Sequence, residues 1–169
     1  NDTLNLSAYT SGAGLTLYGG AGDDRFELGS GARLREISTL VGGAGTDTLA
    51  FATDALSATD ADFDNVSAVE VLQTANGNNR IVLGTNAQTA GIATVVGGTG
   101  NDTLVGGAGT DWAGYASASD AVTVDLGAGS SSGAAGNDSL IGIENVLGGL
   151  GSDSILGNDI ANELSGSDG

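Results

Sequence analysis

The chain has 169 residues, of which 31 are glycine, and it contains no proline, cysteine, methionine or histidine. Four arginines oppose 21 carboxylates, and the formal net charge of −17 disfavours nucleic acid and anionic membrane surfaces as partners. Because histidine, lysine and cysteine are absent, a Ser-His-Asp triad, a Schiff base and a thiol nucleophile are excluded, and we expect no enzymatic activity.

The first fifty residues carry a nine-residue pattern, G-G-x-G-x-D-x-U-x, in which U is a large apolar residue. The pattern is complete at 19–27 and at 42–50, and residues 1–4 match its end. Glycine permits the positive φ of a tight turn, and the sixth residue places a carboxylate where that turn ends. The eighth residue points inward from a short strand. One such unit cannot bury its apolar face alone, so the repeat predicts stacked coils.

Strands are predicted directly before the glycine pairs, at 15–18, 38–41, 94–96 and 145–147. The inward-pointing residues are expected to form one apolar column: Leu4, Phe26, Leu49, Leu104, Leu140, Ile155 and Leu164. Arg33 and Arg35 are expected to pair with nearby carboxylates.

Residues 51–74 lack the glycine motif and are predicted to be a non-repeat insertion. Their segment 60–64 begins like an EF-hand loop, but Asn65 stands where glycine is needed and Val71 where glutamate is needed. We instead predict a helical turn capped by Thr59 or Asp60, followed by a strand over 67–72.

The pattern continues in tandem at 97–105 and 106–114. In the second of these repeats Ala113 replaces the large apolar residue, and either Trp112 or Tyr115 is expected to fill its space. The Gly/Ser/Ala-rich segment 127–136 is predicted to be a flexible loop.

Four other turns belong to the series, and three of them follow the pattern less completely. Residues 133–141 keep the aspartate but not the second glycine, and 148–156 are complete. Asn79 and Asn162 occupy the aspartate position of two degenerate turns. Asparagine is a weaker and uncharged ligand, so these two turns can pack without an ion.

The intervals between the aspartates predict the length of each coil. Asp102 and Asp111 are 9 residues apart, which places them on opposite edges of one coil. Asp2 to Asp24 is 22 residues, and Asp24 to Asp47 and Asn79 to Asp102 are 23 residues, so each interval predicts one enlarged coil. We therefore expect an irregular stack with its ligands mostly along one edge.

The turns offer carboxylate and backbone carbonyl oxygens, which suit Ca²⁺ because it accepts about six to eight oxygen ligands in flexible geometry. Mg²⁺ demands a tighter octahedron, and Zn²⁺ prefers histidine or cysteine, which are absent. Several bound Ca²⁺ ions are expected, with ion binding linked to folding.

These turns resemble the hemolysin-type (RTX) calcium-binding repeats of secreted bacterial proteins. The resemblance implies an all-β fold, a right-handed parallel β-roll solenoid, with Ca²⁺ between turns one coil apart and with folding after type I secretion. It assigns ligand roles to the aspartates and to the carbonyls of the turn glycines. The candidate ligands are Asp2, Gly20, Gly22, Asp24, Gly43, Gly45, Asp47, Gly98, Gly100, Asp102, Gly107, Gly109, Asp111, Asp138, Gly149, Gly151 and Asp153.

Residues 166–169 joined to residues 1–5 read G-S-D-G-N-D-T-L-N, one more nonapeptide in register. We therefore expect residues 1–169 to be a single roll and a fragment or repeat unit of a longer protein, stacked head to tail with further copies. No apolar run approaches the roughly 20 residues that span a bilayer.

The favoured function is a calcium-stabilised structural segment of an extracellular or bacterial cell-surface protein, such as an S-layer, adhesin or filament, because 51–72 is also similar to segments of large surface proteins. The alternative is a C-terminal calcium-binding and secretion module of an exported protease, lipase or epimerase. A surface glycan stacked on Trp112 and Tyr115 is a further candidate partner.

Overall fold

The computed structural model describes residues 1–8, 14–30 and 34–167. Strands dominate the regular structure of this part of the chain, which contains 18 strands, a 3-10 helix at Asp60–Phe63 and an α-helix, α1, at Thr85–Ala90. The strands are β1 Thr3–Leu6, β2 Leu15–Ala21, β3 Arg25–Leu28, β4 Ile37–Ala44, β5 Thr48–Phe51, β6 Ser57–Ala58, β7 Val66–Ser67, β8 Val71–Gln73, β9 Arg80–Val82, β10 Thr94–Val96, β11 Thr103–Val105, β12 Trp112–Gly114, β13 Val122–Asp125, β14 Ser130–Gly133, β15 Ser139–Ile141, β16 Asn145–Leu147, β17 Ser154–Leu156 and β18 Leu164–Ser165.

The described strands form three sheets. Sheet 1 has the order β1-β3-β5-β8-β10-β12-β16-β18, sheet 2 has the order β17-β13-β14-β15-β11-β9-β6, and sheet 3 has the order β2-β4-β7. Sheet 1 is parallel throughout. The four strands predicted before glycine pairs are present as β2, β4, β10 and β16.

The chain returns to the same sheet after each enlarged interval. Thr3 lies opposite Arg25, Arg25 opposite Thr48, and Thr48 opposite Val71, so consecutive neighbours in sheet 1 are 22 or 23 residues apart. Arg80 and Thr103 are paired in the same way in sheet 2. Each of these intervals therefore brings the chain back to the neighbouring strand of the same sheet, as the prediction of one coil per interval requires.

The predicted apolar column divides between two sheets. Phe26 and Leu49 are in register in sheet 1, whereas Leu104 and Leu140 are in register in sheet 2. All four side chains are buried in one hydrophobic core. The single column was wrong because the repeats 19–27 and 42–50 place their strands in sheet 1, whereas 97–105 and 133–141 place theirs in sheet 2.

Tyr115, not Trp112, is buried near the small residue Ala113. Ala113 is fully buried between Val95 and Val146 of the neighbouring strands, and Tyr115 belongs to the same core. Trp112 is half-buried.

The segment 51–74 differs from the predicted insertion, because it is built into the stack. It gives β6 to sheet 2, β7 to sheet 3 and β8 to sheet 1. The predicted strand over 67–72 is divided at Ala68, whose φ of 51° turns the backbone between β7 and β8. Its buried strand residues Ala58, Val66 and Leu72 point inward without a glycine turn beside them.

The capped helical turn in this segment is confirmed. Thr59 is the N-cap of the 3-10 helix, and Asp62 Oδ2 accepts hydrogen bonds from the Thr59 backbone N–H at 2.8 Å and hydroxyl at 3.0 Å. Arg35 pairs with the same carboxylate, with Nη2 donating to Asp62 Oδ2 at 3.1 Å. Arg33 and residues 168–169 of the predicted joined nonapeptide lie outside the described residues.

The segment 127–136, predicted to be a flexible loop, contains strand β14. This strand is antiparallel to β13 and to β15, with Val124 opposite Ser131. The φ of 66° at Gly129 lies in the turn between β13 and β14. The loop prediction is wrong for 130–133, because small serine and glycine side chains still supply backbone groups that pair in a sheet.

Candidate metal centre

The predicted aspartates lie at the starts of strands on two sheets. Four of them directly precede β1, β3, β5 and β12 of sheet 1, and three directly precede β11, β15 and β17 of sheet 2. Asp102 and Asp111 are on different sheets, as their spacing predicts. The two groups are, in order, Asp2, Asp24, Asp47 and Asp111, and Asp102, Asp138 and Asp153.

The seven predicted aspartates do not follow a single edge, because four lie on sheet 1 and three on sheet 2. Asp47 and Asn79 are 32 residues apart, nine more than one coil. This extra half-coil moves the glycine turns from sheet 1 to sheet 2. The coil that contains 51–74 has no glycine turn, so the motif alone did not show where the shift occurs.

In Asp24, Asp47 and Asp102, one carboxylate oxygen holds the turn of the preceding coil. Asp24 Oδ1 accepts the backbone N–H of Asp2 at 2.6 Å, and Asp47 Oδ1 accepts that of Asp24 at 2.7 Å. On sheet 2, Asp102 Oδ1 accepts the N–H of Asn79 at 2.7 Å. These bonds form a ladder that fixes the carboxylates one coil apart.

The second oxygen is buried without a partner in four of the described aspartates. The atoms are Oδ2 of Asp24, Asp47, Asp102 and Asp111. Burial raises the pKa of Asp102 to about 6. The pKa of Asp111 is also raised to about 6, mainly by burial and to a smaller extent by the negative charge of Glu144. An unpaired buried carboxylate oxygen costs free energy that a bound cation would offset.

The first glycine of each turn keeps the space beside this oxygen open. A Cβ on Gly19 would lie 2.5 Å from both Asp24 Oδ2 and the carbonyl oxygen of Gly42. A Cβ on Gly42 would lie 2.6 Å from Asp47 Oδ2 and would also collide with the Ala68 carbonyl. Carboxylate and carbonyl oxygens therefore converge around the first glycine, a position that sequence reasoning left out although it recurs in every complete repeat.

The second and fourth residues of the turns stack on the coil before. Gly43 has a φ of 125°, and a Cβ there would collide with the Gly20 carbonyl oxygen. Gly100 has a φ of 123°, and a Cβ there would lie 2.5 Å from the Gly77 carbonyl oxygen. Eight of the ten predicted glycine ligands share a positive φ: Gly20, Gly22, Gly43, Gly45, Gly98, Gly100, Gly107 and Gly109.

The turn at 148–153 has a different form. Gly149 and Gly151 are outside the positive-φ set. Asp153 Oδ1 accepts the Val122 N–H at 2.9 Å, and its Oδ2 accepts the Gly149 N–H at 2.8 Å. Both oxygens of Asp153 are therefore already bonded by backbone donors.

Asp138 and Asp2 also lack a buried, unpaired oxygen. Asp138 Oδ1 accepts the Asp102 N–H at 2.9 Å, and its Oδ2 accepts the Ser131 hydroxyl at 2.6 Å. Asp2 is exposed at the edge of sheet 1.

Two glutamates that sequence reasoning missed extend the ladder. Glu70 Oε2 accepts the Asp47 N–H at 2.8 Å, and Glu144 Oε2 accepts the Asp111 N–H at 2.9 Å. The residues two positions before them, Ala68 and Gly142, have φ values of 51° and 60°. Aligning V-E-V-L and I-E-N-V with the x-D-x-U end of the repeat would have found both.

No cluster of three or more acidic side chains converges anywhere in the described ranges. A metal at these turns would therefore bind one or two carboxylates together with several backbone carbonyls. Such an oxygen-only set fits Ca²⁺.

The family model of the RTX calcium-binding nonapeptide repeat matches residues 16–33, 38–52 and 89–113, in four copies. The matched ranges contain all four aspartates with an unpaired buried oxygen. No curated protein and no solved structure shows significant similarity to the chain. These ranges of the chain are therefore RTX calcium-binding nonapeptide repeats, which bind Ca²⁺.

Proposed function

We propose that this chain is a calcium-dependent structural segment of an extracellular or bacterial cell-surface protein, such as an S-layer, adhesin or filament. The observation that carries the proposal is the set of four buried, unpaired carboxylate oxygens at the turns of the stack. Ca²⁺ bound there would hold one coil on the next, so the ions would serve the fold and not a reaction.

The proposed ligands come from each aspartate, its own turn and the next coil. At Asp24 these are Oδ2 and the carbonyls of Gly20, Gly22 and Gly42. At Asp47 the ligands are Oδ2, the carbonyls of Gly43 and Gly45, and the Ala68 carbonyl, which faces the site from the next coil. Asp102 and Asp111 bind correspondingly through the turns 97–102 and 106–111.

We further propose that the coils wind as a right-handed parallel β-roll. The support is the 22- or 23-residue return in parallel register in sheet 1 and the placement of the adjacent repeats 97–105 and 106–114 on different sheets. The hairpin of β13 and β14 interrupts this regularity.

The net charge supports an extracellular setting for this fold. With a charge of −17, the ion-free folded state repels itself, and bound divalent ions lower that repulsion. Extracellular calcium modules bind at about 10⁻⁴–10⁻³ M, so such sites would fill only after export. RTX repeat proteins are typically secreted, and the described residues contain no helix long and apolar enough to cross a membrane.

We also propose that further coils stack on the end of the sheets. Leu156 in β17 is 62% exposed and Leu164 in β18 is 40% exposed. Each of these strands has a single paired neighbour in the described structure, so apolar side chains and free backbone groups lie together at this edge.

Sedimentation in the presence of calcium tests this stacking. The wild type should associate as its concentration rises, and the double variant Leu156→Lys, Leu164→Lys should not. A wild type that stays monomeric at all concentrations would refute the stacking.

The calcium dependence is tested by circular dichroism during a Ca²⁺ titration, with Mg²⁺ as the control. We expect a transition to β-structure at about 10⁻⁴–10⁻³ M Ca²⁺ and a much weaker response to Mg²⁺. Equal responses to both ions, or none to either, would contradict the proposal.

A further inference from the structure

The side-chain amide of Asn79 occupies the place of the unpaired carboxylate oxygen in one coil. Asn79 Oδ1 accepts the Leu56 N–H at 2.8 Å, as the aspartates do in the ladder. Its Nδ2 donates to the carbonyl oxygens of Gly77 at 2.8 Å, Gly97 at 2.9 Å and Ala75 at 3.1 Å. The amide nitrogen thus binds oxygens of its own turn and of the next coil.

The orientation of this amide follows from its partners. Leu56 N–H can only donate, so it requires the amide oxygen. The three carbonyls can only accept, and Asp102 Oδ1, 3.0 Å from Nδ2, accepts as well. The reversed orientation would place an oxygen against four acceptors and leave them without a donor.

Thr74 makes a second, independent substitution in the same turn. It stands at the first-glycine position, and its hydroxyl donates to the Gly97 carbonyl at 2.5 Å. Thr74 and Asn79 are both buried. At the corresponding position in the calcium turn, Gly19 lies so close to Asp24 Oδ2 and the Gly42 carbonyl that it has no room for a Cβ.

We propose that the Asn79 amide and the Thr74 hydroxyl replace a calcium ion, so that the turn 74–79 stays ion-free and folded without calcium. A cation is needed where oxygens converge without donors, and here two neutral groups supply the donors. The identity of the displaced ion rests on the proposed function.

The coil around this turn depends little on ions in other respects. Its corner on sheet 1 carries Ala93 in place of an acidic residue before β10. The helix α1 within it buries Ala87 and Ala90, and Asp60 Oδ1 accepts its Asn86 and Ala87 N–H groups at 3.0 Å. The middle of the chain is therefore a calcium-independent nucleus between calcium-dependent ends.

The ion count of Asn79→Asp tests the replacement, with Asn78→Asp as the matched control. Asn78 is exposed, and its Oδ1 accepts the Asn101 N–H at 2.8 Å, a bond that aspartate preserves. Equilibrium dialysis at saturating Ca²⁺ should give one more ion per chain for Asn79→Asp than for Asn78→Asp. A triple variant, Thr74→Gly, Ala75→Gly and Asn79→Asp, restores the full motif and should bind the same extra ion.

Equal ion counts in both Asn79→Asp variants and the control would overturn the proposal, as would failure of both variants to fold in calcium. A wild-type chain that binds no calcium would refute the proposed function but not this proposal. The ion counts of the Asn79→Asp variants and the control would still show whether the Asn79 amide takes the place of an ion.

Hydrogen exchange in excess chelator tests the folded nucleus. The wild-type amides of 80–82 and 94–96 should stay protected, while those of 25–28 and 48–51 lose protection. Loss of protection in all four segments together would overturn the calcium-independent nucleus.

Discussion

At the residue scale, the unit of this protein is an aspartate whose two oxygens have different tasks. In Asp24, Oδ1 holds the Asp2 backbone at 2.6 Å, while Oδ2 is buried without a donor. The first oxygen stabilises the stack in any solvent, and the second favours the stack only when a cation is bound.

The neighbouring Asp23 gives a matched test of this division. Asp23 is exposed and its Oδ1 accepts the Thr46 N–H at 2.9 Å, whereas Asp24 is buried. Asp24→Asn should therefore lose about one bound ion and raise the calcium midpoint severalfold. Asp23→Asn, which changes the charge equally, should leave the ion count unchanged. Identical titrations for the two variants would argue against a ligand role for Asp24.

The raised pKa values predict opposite pH dependences with and without calcium. The carboxyls of Asp102 and Asp111 have a pKa of about 6 in the ion-free fold, above their unfolded value. The ion-free fold therefore binds more protons than the unfolded chain, and its stability falls as pH rises from about 4 to 6. Calcium needs the ionised carboxylates, so its affinity rises over the same range.

Thermal melts at pH 5 and pH 7.5, in calcium and in chelator, check this linkage. The gain in Tm from calcium should be larger at pH 7.5. A gain that is the same at both pH values would contradict it.

At the element scale, the sequence predicted the length of the coils better than their placement. The 22- and 23-residue intervals and the strands before the glycine pairs follow from local turn chemistry. The assignment of turns to edges depends on Glu70 and Glu144, which continue the ladder at corners without a glycine pair. Their corners match only the x-D-x-U end of the repeat, with glutamate in place of aspartate, so a search for the full glycine motif could not place them.

The pairing of α1 with the 3-10 helix also escaped sequence reasoning, because it joins residues 26 and 27 positions apart. Asp60 Oδ1 and Oδ2 accept N–H groups at the start of α1, and no glycine pattern marks this contact. Asp60 thus acts as a helix cap supplied by a different coil.

Removing this cap should lower stability without changing calcium binding. Asp60→Ala should cost about 1 kcal/mol, the usual value for a lost cap. Asp64→Ala, at an exposed neighbouring position, is the control. Denaturant unfolding in calcium measures the loss, and a changed ion count in Asp60→Ala would show that the cap reaches the ion sites.

At the scale of the whole molecule, charge and fold act together. A chain with 21 carboxylates and four arginines cannot balance its own charge, and its buried unpaired oxygens lie at both sheet edges. Between these sites along the chain lies a middle coil in which the Asn79 amide and the Thr74 hydroxyl donate hydrogen bonds to the carbonyl oxygens of the turn. Calcium should therefore order the chain outward from this coil, in keeping with the linkage of ion binding and folding.

The most direct test of the account is the calcium stoichiometry of the wild type beside the variant in which Asp24, Asp47, Asp102 and Asp111 are all changed to asparagine. Equilibrium dialysis at saturating calcium should give several ions for the wild type and a loss of about four in the variant. A variant that binds as many ions as the wild type would contradict the claim that these four carboxylates hold the calcium.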